Sequence, residues 1–244
     1  MPEKDPAPHR PHFPIKPKPD WSKRVALGIV FASLLLLCII LILPMVVQMR
    51  RVSGSEQKEA VSYARQIGLA LLEFDDEYGT FPSDATAASV TESYPSHGFD
   101  LTGKSSNAMF RQLMAAGMFR QLMAAGYTQI EWVFYAKVKS TRKPDGNTLP
   151  GKALEKGECG FVYISGLTSK EDPITPIVLT PLIQGTTQFD PQPFKGKAIV
   201  LFTDNTVRSY KIEKDGRIYD KGIDLLSPKH PVWKGKKPDI RYPE

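Results

Sequence analysis

The stretch SGSEQKEAVSYARQIGLALLEFDDEYGTFP, Ser53 to Pro82, decides how the rest of the chain is read. Within it Ala60, Ala64, Ile67, Leu71, Phe74 and Tyr78 follow one another at intervals of 4, 3, 4, 3 and 4 residues. These intervals track the 3.6-residue helical turn, so the six side chains share one face of an amphipathic helix. The spacing predicts a helix that begins near Ser53 and ends at Gly79. Ser53 and Glu56 stand in the S-x-x-E arrangement of a capping box. Gly79 supplies a residue at ease with positive φ for the C-terminal stop, and Pro82 follows where a helix cannot continue. The acidic run Glu73, Asp75, Asp76 and Glu77 falls at the end of the helix where the macrodipole disfavours negative charge, and it is expected to be a solvated face.

Immediately upstream, Val25 to Val47 (VALGIVFASLLLLCIILILPMVV) carries no ionisable side chain except the Cys38 thiol. At 1.5 Å per residue a helix of this length reaches about 34 Å, enough to cross the hydrocarbon core. A transmembrane helix over 25–47 is expected, with the lipid bilayer as its partner and Pro44 as a kink. The apolar run is too long for a signal peptide, and no small-residue cleavage site follows it. Lys16, Lys18, Lys23 and Arg24 outweigh Arg50, Arg51 and Lys58, a bias that places the N-terminus in the cytoplasm. The expected location is therefore the inner (cytoplasmic) membrane, crossed once, with the C-terminal domain periplasmic or extracellular. Residues 1–24, Pro-rich and basic, are expected to form a disordered cytoplasmic tail. His9 and His12 within it lack Cys or carboxylate support and are read as solvated.

After the stalk segment, 48–82, residues 83–244 read as an α+β domain, and the fold class expected for the chain is α+β. In that fold the transmembrane helix leads into the stalk helix, which packs on a small antiparallel β-sheet. Strand candidates are Glu131–Val138, Gly160–Ser165, Pro176–Ile183, Ala198–Thr203 and Thr206–Ile212, rich in β-branched and aromatic residues. Asp204-Asn205 and Asp215-Gly216 mark turns. The polar stretches between strands, including STRKPDGNTLPGKALEKGE, are read as surface loops.

The domain also contains the word MFRQLMAAG twice without a difference, Met109–Gly117 and Met118–Gly126. Nine residues turn a helix by roughly 900°, half a turn out of phase, so one unbroken helix would put Phe110 and Phe119 on opposite faces. A helix capped near Ser106 or Asn107 and closed at Gly117, followed by a second closed at Gly126, resolves the conflict. An error-free tandem copy is the mark of a duplication tolerated at a surface, and deletion of Met118–Gly126 is expected to leave fold and stability intact.

Chemistry-bearing patterns are sparse. The four histidines, 9, 12, 97 and 230, are scattered, and no nucleophile elbow, Walker loop, zincin helix or paired-cysteine spacing occurs. No catalytic, cofactor-binding or metal-ligating residue is assigned from sequence, and no enzymatic activity is expected. Cys159 reads as a half-buried small residue and Cys38 as membrane-embedded, so the two are not expected to pair. Lys229, Lys234, Lys236, Lys237 and Arg241, interleaved with Trp233 and Tyr242, read as a solvated tail with Trp233 packed back on the sheet. No nucleic-acid partner is expected.

An apolar helix running into ARQIGLALLEFDDEYGTFPSD resembles the N-terminal half of the bacterial type IV pilin and type II secretion pseudopilin family. The stalk helix of that family ends in an acidic-Tyr-Gly-x-aromatic-Pro pattern, here Asp76-Glu77-Tyr78-Gly79-Thr80-Phe81-Pro82. KAIVLFTDNTVRSYKI is similar to the family's late β-hairpin. The resemblance implies a membrane-anchored structural subunit of a secretion or pilus-type assembly, with homo- or hetero-assembly through the membrane and stalk helices. The prepilin-peptidase pattern departs at Gly28-Ile29, because Ser33 stands where the family carries Glu. The alternative is an uncleaved membrane-anchored envelope-binding module that forms no filament.

Overall fold

The structure, a computed structural model, describes residues 36–38, 54–124, 126 and 129–244. The chain divides into two compact units, Met1–Met49 and Arg50–Glu244. In the first unit only residues 36–38 are described, as helix. The expected fold class is corrected at this point. Among the described residues no helix is long and apolar enough to cross a membrane. Most of the segment read as membrane helix, 25–35 and 39–47, lies outside the described residues, as do the capping residue Ser53 and the tail with His9 and His12. What the structure establishes is an α+β domain built on a five-stranded antiparallel sheet.

Helix α1 is described over 54–78. Its inner stripe is the one the spacing marks: Ala60, Ala64, Ile67, Leu71 and Phe74 are all at most 1% exposed. Burying side chains of the Ile67, Leu71 and Phe74 type stabilises by about 1.5–3 kcal/mol each, which is what holds the helix on the sheet. Helix α2 covers Thr86–Ser93, α3 Ser106–Ala115 and α4 Arg120–Ala124. The strands are β1 Val162–Ser165, β2 Pro176–Thr180, β3 Lys197–Phe202, β4 Val207–Lys211, β5 Tyr219–Asp220, β6 Ile223–Asp224 and β7 Asp239–Arg241. The main sheet runs β4-β3-β2-β1-β7, every neighbour antiparallel, and β5 and β6 form a separate small ribbon.

Register fixes which side chains face the helices. Val207, Leu201, Val178, Tyr163 and Arg241 lie in one row across the sheet, and side chains directly opposite one another in paired strands share a face. On that face α1 crosses Leu201 and the β3–β4 turn so closely that a Cβ on Gly68 would stand 2.1 Å from Asn205 Oδ1 and 2.9 Å from Leu201 Cδ1. A glycine is the residue that permits this approach. The Tyr163 hydroxyl donates to the Pro82 carbonyl at 2.8 Å, and the Tyr163 ring meets Phe110 of α3 edge-on at 5.7 Å. Both helices are thereby fixed over the same face. The alternate residues Val162, Leu179 and Val200 are buried too, so the central strands have no wet side.

The Tyr-Gly-x-aromatic-Pro segment works as a clamp. Gly79 takes φ +73° and its amide donates to the Asp75 carbonyl at 2.7 Å, closing the helix. Two residues on, the Phe81 amide donates to the Leu167 carbonyl in the β1–β2 loop at 3.2 Å, and the Phe81 ring is buried. The acidic run is not wholly solvated. Asp75 is 6% exposed and accepts from Ser169 Oγ, whereas Asp76 is exposed and Glu77 accepts from the exposed Tyr94 hydroxyl.

Four of the five expected strands are present, within one to three residues at their ends, and Asn205 and Gly216 adopt positive φ in the expected turns. The fifth, Glu131–Val138, is instead a 3₁₀ turn at Ile130–Phe134 followed by irregular chain. The segment has no place next to β1. Beside β1 the place is taken by β7, with Ile164 opposite Ile240. That strand comes from the segment read as a solvated tail, and its Arg241 is only 8% exposed, ion-paired with Asp84 and Asp239. Trp233 does pack back as expected, 6% exposed with its indole N–H donating to the Leu225 carbonyl.

The repeated word folds as two helices that Gly117, at φ +70°, separates. The Met118 amide reaches back to the Leu113 carbonyl at 3.0 Å, the long bond of a Schellman stop. The N-cap is Ser105, whose side chain accepts from the Ala108 amide, one residue before the expected position.

Candidate functional site

The residues that come together with the least compensation lie in the chain between α4 and β1. Phe134 stacks on Phe110 at 4.9 Å and receives the edge of Phe119 at 5.4 Å, and these contacts pin the 3₁₀ turn against the core. Pinning Phe134 turns Glu131, three residues earlier, inward. Its side chain is fully buried, and Oε1 accepts the Leu154 amide at 2.7 Å. Oε2 is also buried and has no hydrogen-bond partner.

Two further carboxylates arrive from the loop that follows. Asp145 sits in a turn, its Oδ1 accepting the Asn147 amide at 2.8 Å, and its side chain is exposed. Glu158, fully buried, accepts the Glu155 amide at 2.9 Å on Oε2 and the Asp145 amide at 3.3 Å on Oε1. Glu131, Asp145 and Glu158 each place a carboxylate oxygen within 4.8 Å of the others. The positive charge nearest to hand is Arg142, whose Nη2 lies 3.3 Å from Glu158 Oε1 and 2.9 Å from Glu155 Oε2. One guanidinium thus serves two carboxylates.

Burial pushes the Glu131 carboxyl above its ordinary range, and the neighbouring Glu158 and Asp145 charges add to the rise; the Leu154 amide and, more weakly, the Gly146 amide oppose it. A carboxylate in this position either stays protonated or needs a cation.

Sequence reading assigned no metal ligand, and it missed this cluster for a definite reason. Glu131 stood at the head of an expected strand, while Asp145 and Glu158 stood in a stretch read as surface loop. No ligand spacing links the three. Of the residues that sequence did single out, Cys159 is more deeply buried than expected, 1% exposed, with its thiol pushed up to about 11 by burial. Cys38 and Cys159 are both free.

The two copies of the repeated word have different surroundings. In the first, Arg111 is 8% exposed and donates from Nε to the Ala153 carbonyl at 2.9 Å and from Nη2 to the Leu154 carbonyl at 2.8 Å. In the second, Arg120 is exposed, although Met118 and Phe119 are buried. Arg111 therefore holds the strand of loop that presents Leu154 to Glu131. Comparison of the chain with protein-family models, with curated proteins and with solved structures gave no match.

Proposed function

We propose that the chain is a pseudopilin-like structural subunit of a bacterial secretion or pilus-type assembly, held at the inner membrane through the apolar stretch Val25 to Val47. The observation that carries the reading is the two-sided use of α1. Its inner stripe is closed against an antiparallel sheet, while Leu69 on the outer side is 58% exposed. On this reading Leu69 is the side chain of α1 at which contact with a neighbouring copy is to be sought. The clamp at Gly79 to Pro82 and the β3–β4 hairpin agree with the family resemblance of those segments. The role is structural rather than enzymatic.

The test is in-cell crosslinking. With Cys38 replaced by Ser, Leu69→Cys is expected to give disulfide-linked multimers in the membrane fraction on mild oxidation. Monomer alone, in membranes that contain the protein, overturns assembly through α1. Ser33, in place of the family Glu, favours the second reading, an uncleaved anchored module that binds envelope material. Mass spectrometry of the native N-terminus separates the two: a start at Ile29 supports the subunit, an intact Met1 the module.

A further inference from the structure

We propose that Glu131, Asp145 and Glu158 bind a hard divalent cation of the calcium class, tying the 3₁₀ turn at 130–134 to the loop 139–159. Three observations carry it. The first is geometric: a carboxylate oxygen from each residue lies within 4.8 Å of the other two. Oxygens that share one calcium ion at 2.3–2.6 Å lie at most about 5 Å apart, so the three can meet on a single ion with small adjustments. The second is the unpaired oxygen. Glu131 is 0% exposed, its Oε1 is satisfied by the Leu154 amide, and its Oε2 is buried without a partner. Native interiors rarely leave such an acceptor unmet, and a bound ion is one of the few things that meets it. The third is charge. Three carboxylates converge where one guanidinium, Arg142, is already shared with Glu155.

The donor set selects the metal. It is all oxygen, with no His or Cys, which disfavours zinc and copper and suits calcium, magnesium or manganese. The turn and loop that supply the ligands are irregular chain rather than a rigid scaffold, and a loose oxygen cage suits calcium better than magnesium, which demands near-ideal octahedral geometry. Asp145 is the exposed member and gives the ion its entry from solvent.

The experiment uses the full chain in detergent, stripped with EGTA and titrated with CaCl₂ by calorimetry, with thermal unfolding followed alongside. One calcium per chain is expected, together with a rise in melting temperature. Magnesium should bind at least tenfold more weakly. Asp145→Asn, which removes the charge at an exposed position and keeps the Oδ1 acceptor of the Asn147 amide, should weaken calcium at least tenfold while the metal-free melting temperature stays put. Glu131→Gln keeps the volume and the acceptor for the Leu154 amide, and it should abolish the calcium-dependent rise. No calcium heat and no melting shift in the wild-type chain overturn the proposal, as does a shift that survives unchanged in both variants. A Glu131→Gln chain that melts higher than wild type in the absence of calcium, beside a wild type that ignores calcium, would identify Glu131 as a buried protonated acid instead.

Discussion

Two identical words in one chain provide an internal control: the same substitution, Arg111→Ala and Arg120→Ala, at the same place in each copy. Arg111 donates to the carbonyls of Ala153 and Leu154 from a side chain that is 10% exposed. Hydrogen bonds from a charged donor contribute about 1.5–3 kcal/mol each, and a buried acceptor left without a partner costs about 1–3 kcal/mol. The two losses are not symmetrical. Asn107 Nδ2 also donates to the Leu154 carbonyl, at 2.8 Å, and the Asp100 carbonyl, which accepts from Arg111 Nη1 at 3.4 Å, is only part-buried, so the Ala153 carbonyl bears the main loss when its donor is removed. The Glu244 carboxylate, 3.5 Å from Arg111 and 39% exposed, adds little because water screens it. We expect Arg111→Ala to destabilise by about 3 kcal/mol. Arg120 is exposed and lies along Gly117, so Arg120→Ala should stay within about 0.5 kcal/mol of the parent. Urea unfolding of the two variants beside the parent measures the difference, which amounts to roughly a hundredfold in the folding equilibrium. Equal losses in the two variants would refute the assignment of the first copy as the anchored one.

Leu71 is fully buried at the centre of the α1 stripe, so Leu71→Asp should cost several kcal/mol, and an unchanged melting midpoint would mean that this face does not pack on the sheet. With the Cys159 thiol held to about 11 in the fold against an ordinary value of 9.0, the thiol form is favoured by folding; stability from this group is full below pH 9 and lost as pH rises through 11. Cys159 in a Cys38→Ser chain should accordingly resist alkylation at pH 8 until denaturant is added, and prompt labelling of the native chain would contradict its burial. Deletion of Met118–Gly126 yields the same sequence as deletion of Met109–Gly117, so one anchored copy survives either way and cooperative unfolding should persist. Because Phe119 is 2% exposed against Phe134, a loss of about 3–5 kcal/mol replaces the neutral outcome expected from sequence; loss of the cooperative transition would show that α4 is indispensable.

The parts of the fold that could be read ahead are those whose signal is local. The α1 stripe needs only the helical period, the Gly79 stop only the conformational ease of one residue, and the β3–β4 hairpin only two alternating runs around Asp204-Asn205. The parts that could not be read are competitions between distant segments. Glu131–Val138 has the composition of a strand, but the place beside β1, next to which the Phe134 carbonyl accepts the Gly160 amide, goes to Asp239–Arg241 from the far end of the chain. Once excluded from the sheet, the segment coils into a 3₁₀ turn, and that turn is what carries Glu131 inward to Asp145 and Glu158. The misread strand thus accounts for the missed Glu131, while Asp145 and Glu158 were hidden in a stretch read as surface loop.

The repeated word presses the same point from the other direction. Arg111 and Arg120 have the same eight residues around them in their words, the same helix propensity and the same charge, yet one is anchored on two carbonyls and the other is exposed. Nothing inside the nine-residue word separates them. What does is the half-turn of phase that Gly117 interrupts, together with the loop at 153–154 that only the first copy can reach. Had Gly117 been able to continue the helix, Phe119 would have faced away from Phe110. The break lets both rings meet Phe134, one stacked and one edge-on. The second copy is therefore neither a duplicate surface nor an inert insertion: it supplies one buried ring to a core that the first copy organises, and its remaining polar residues stay in solvent.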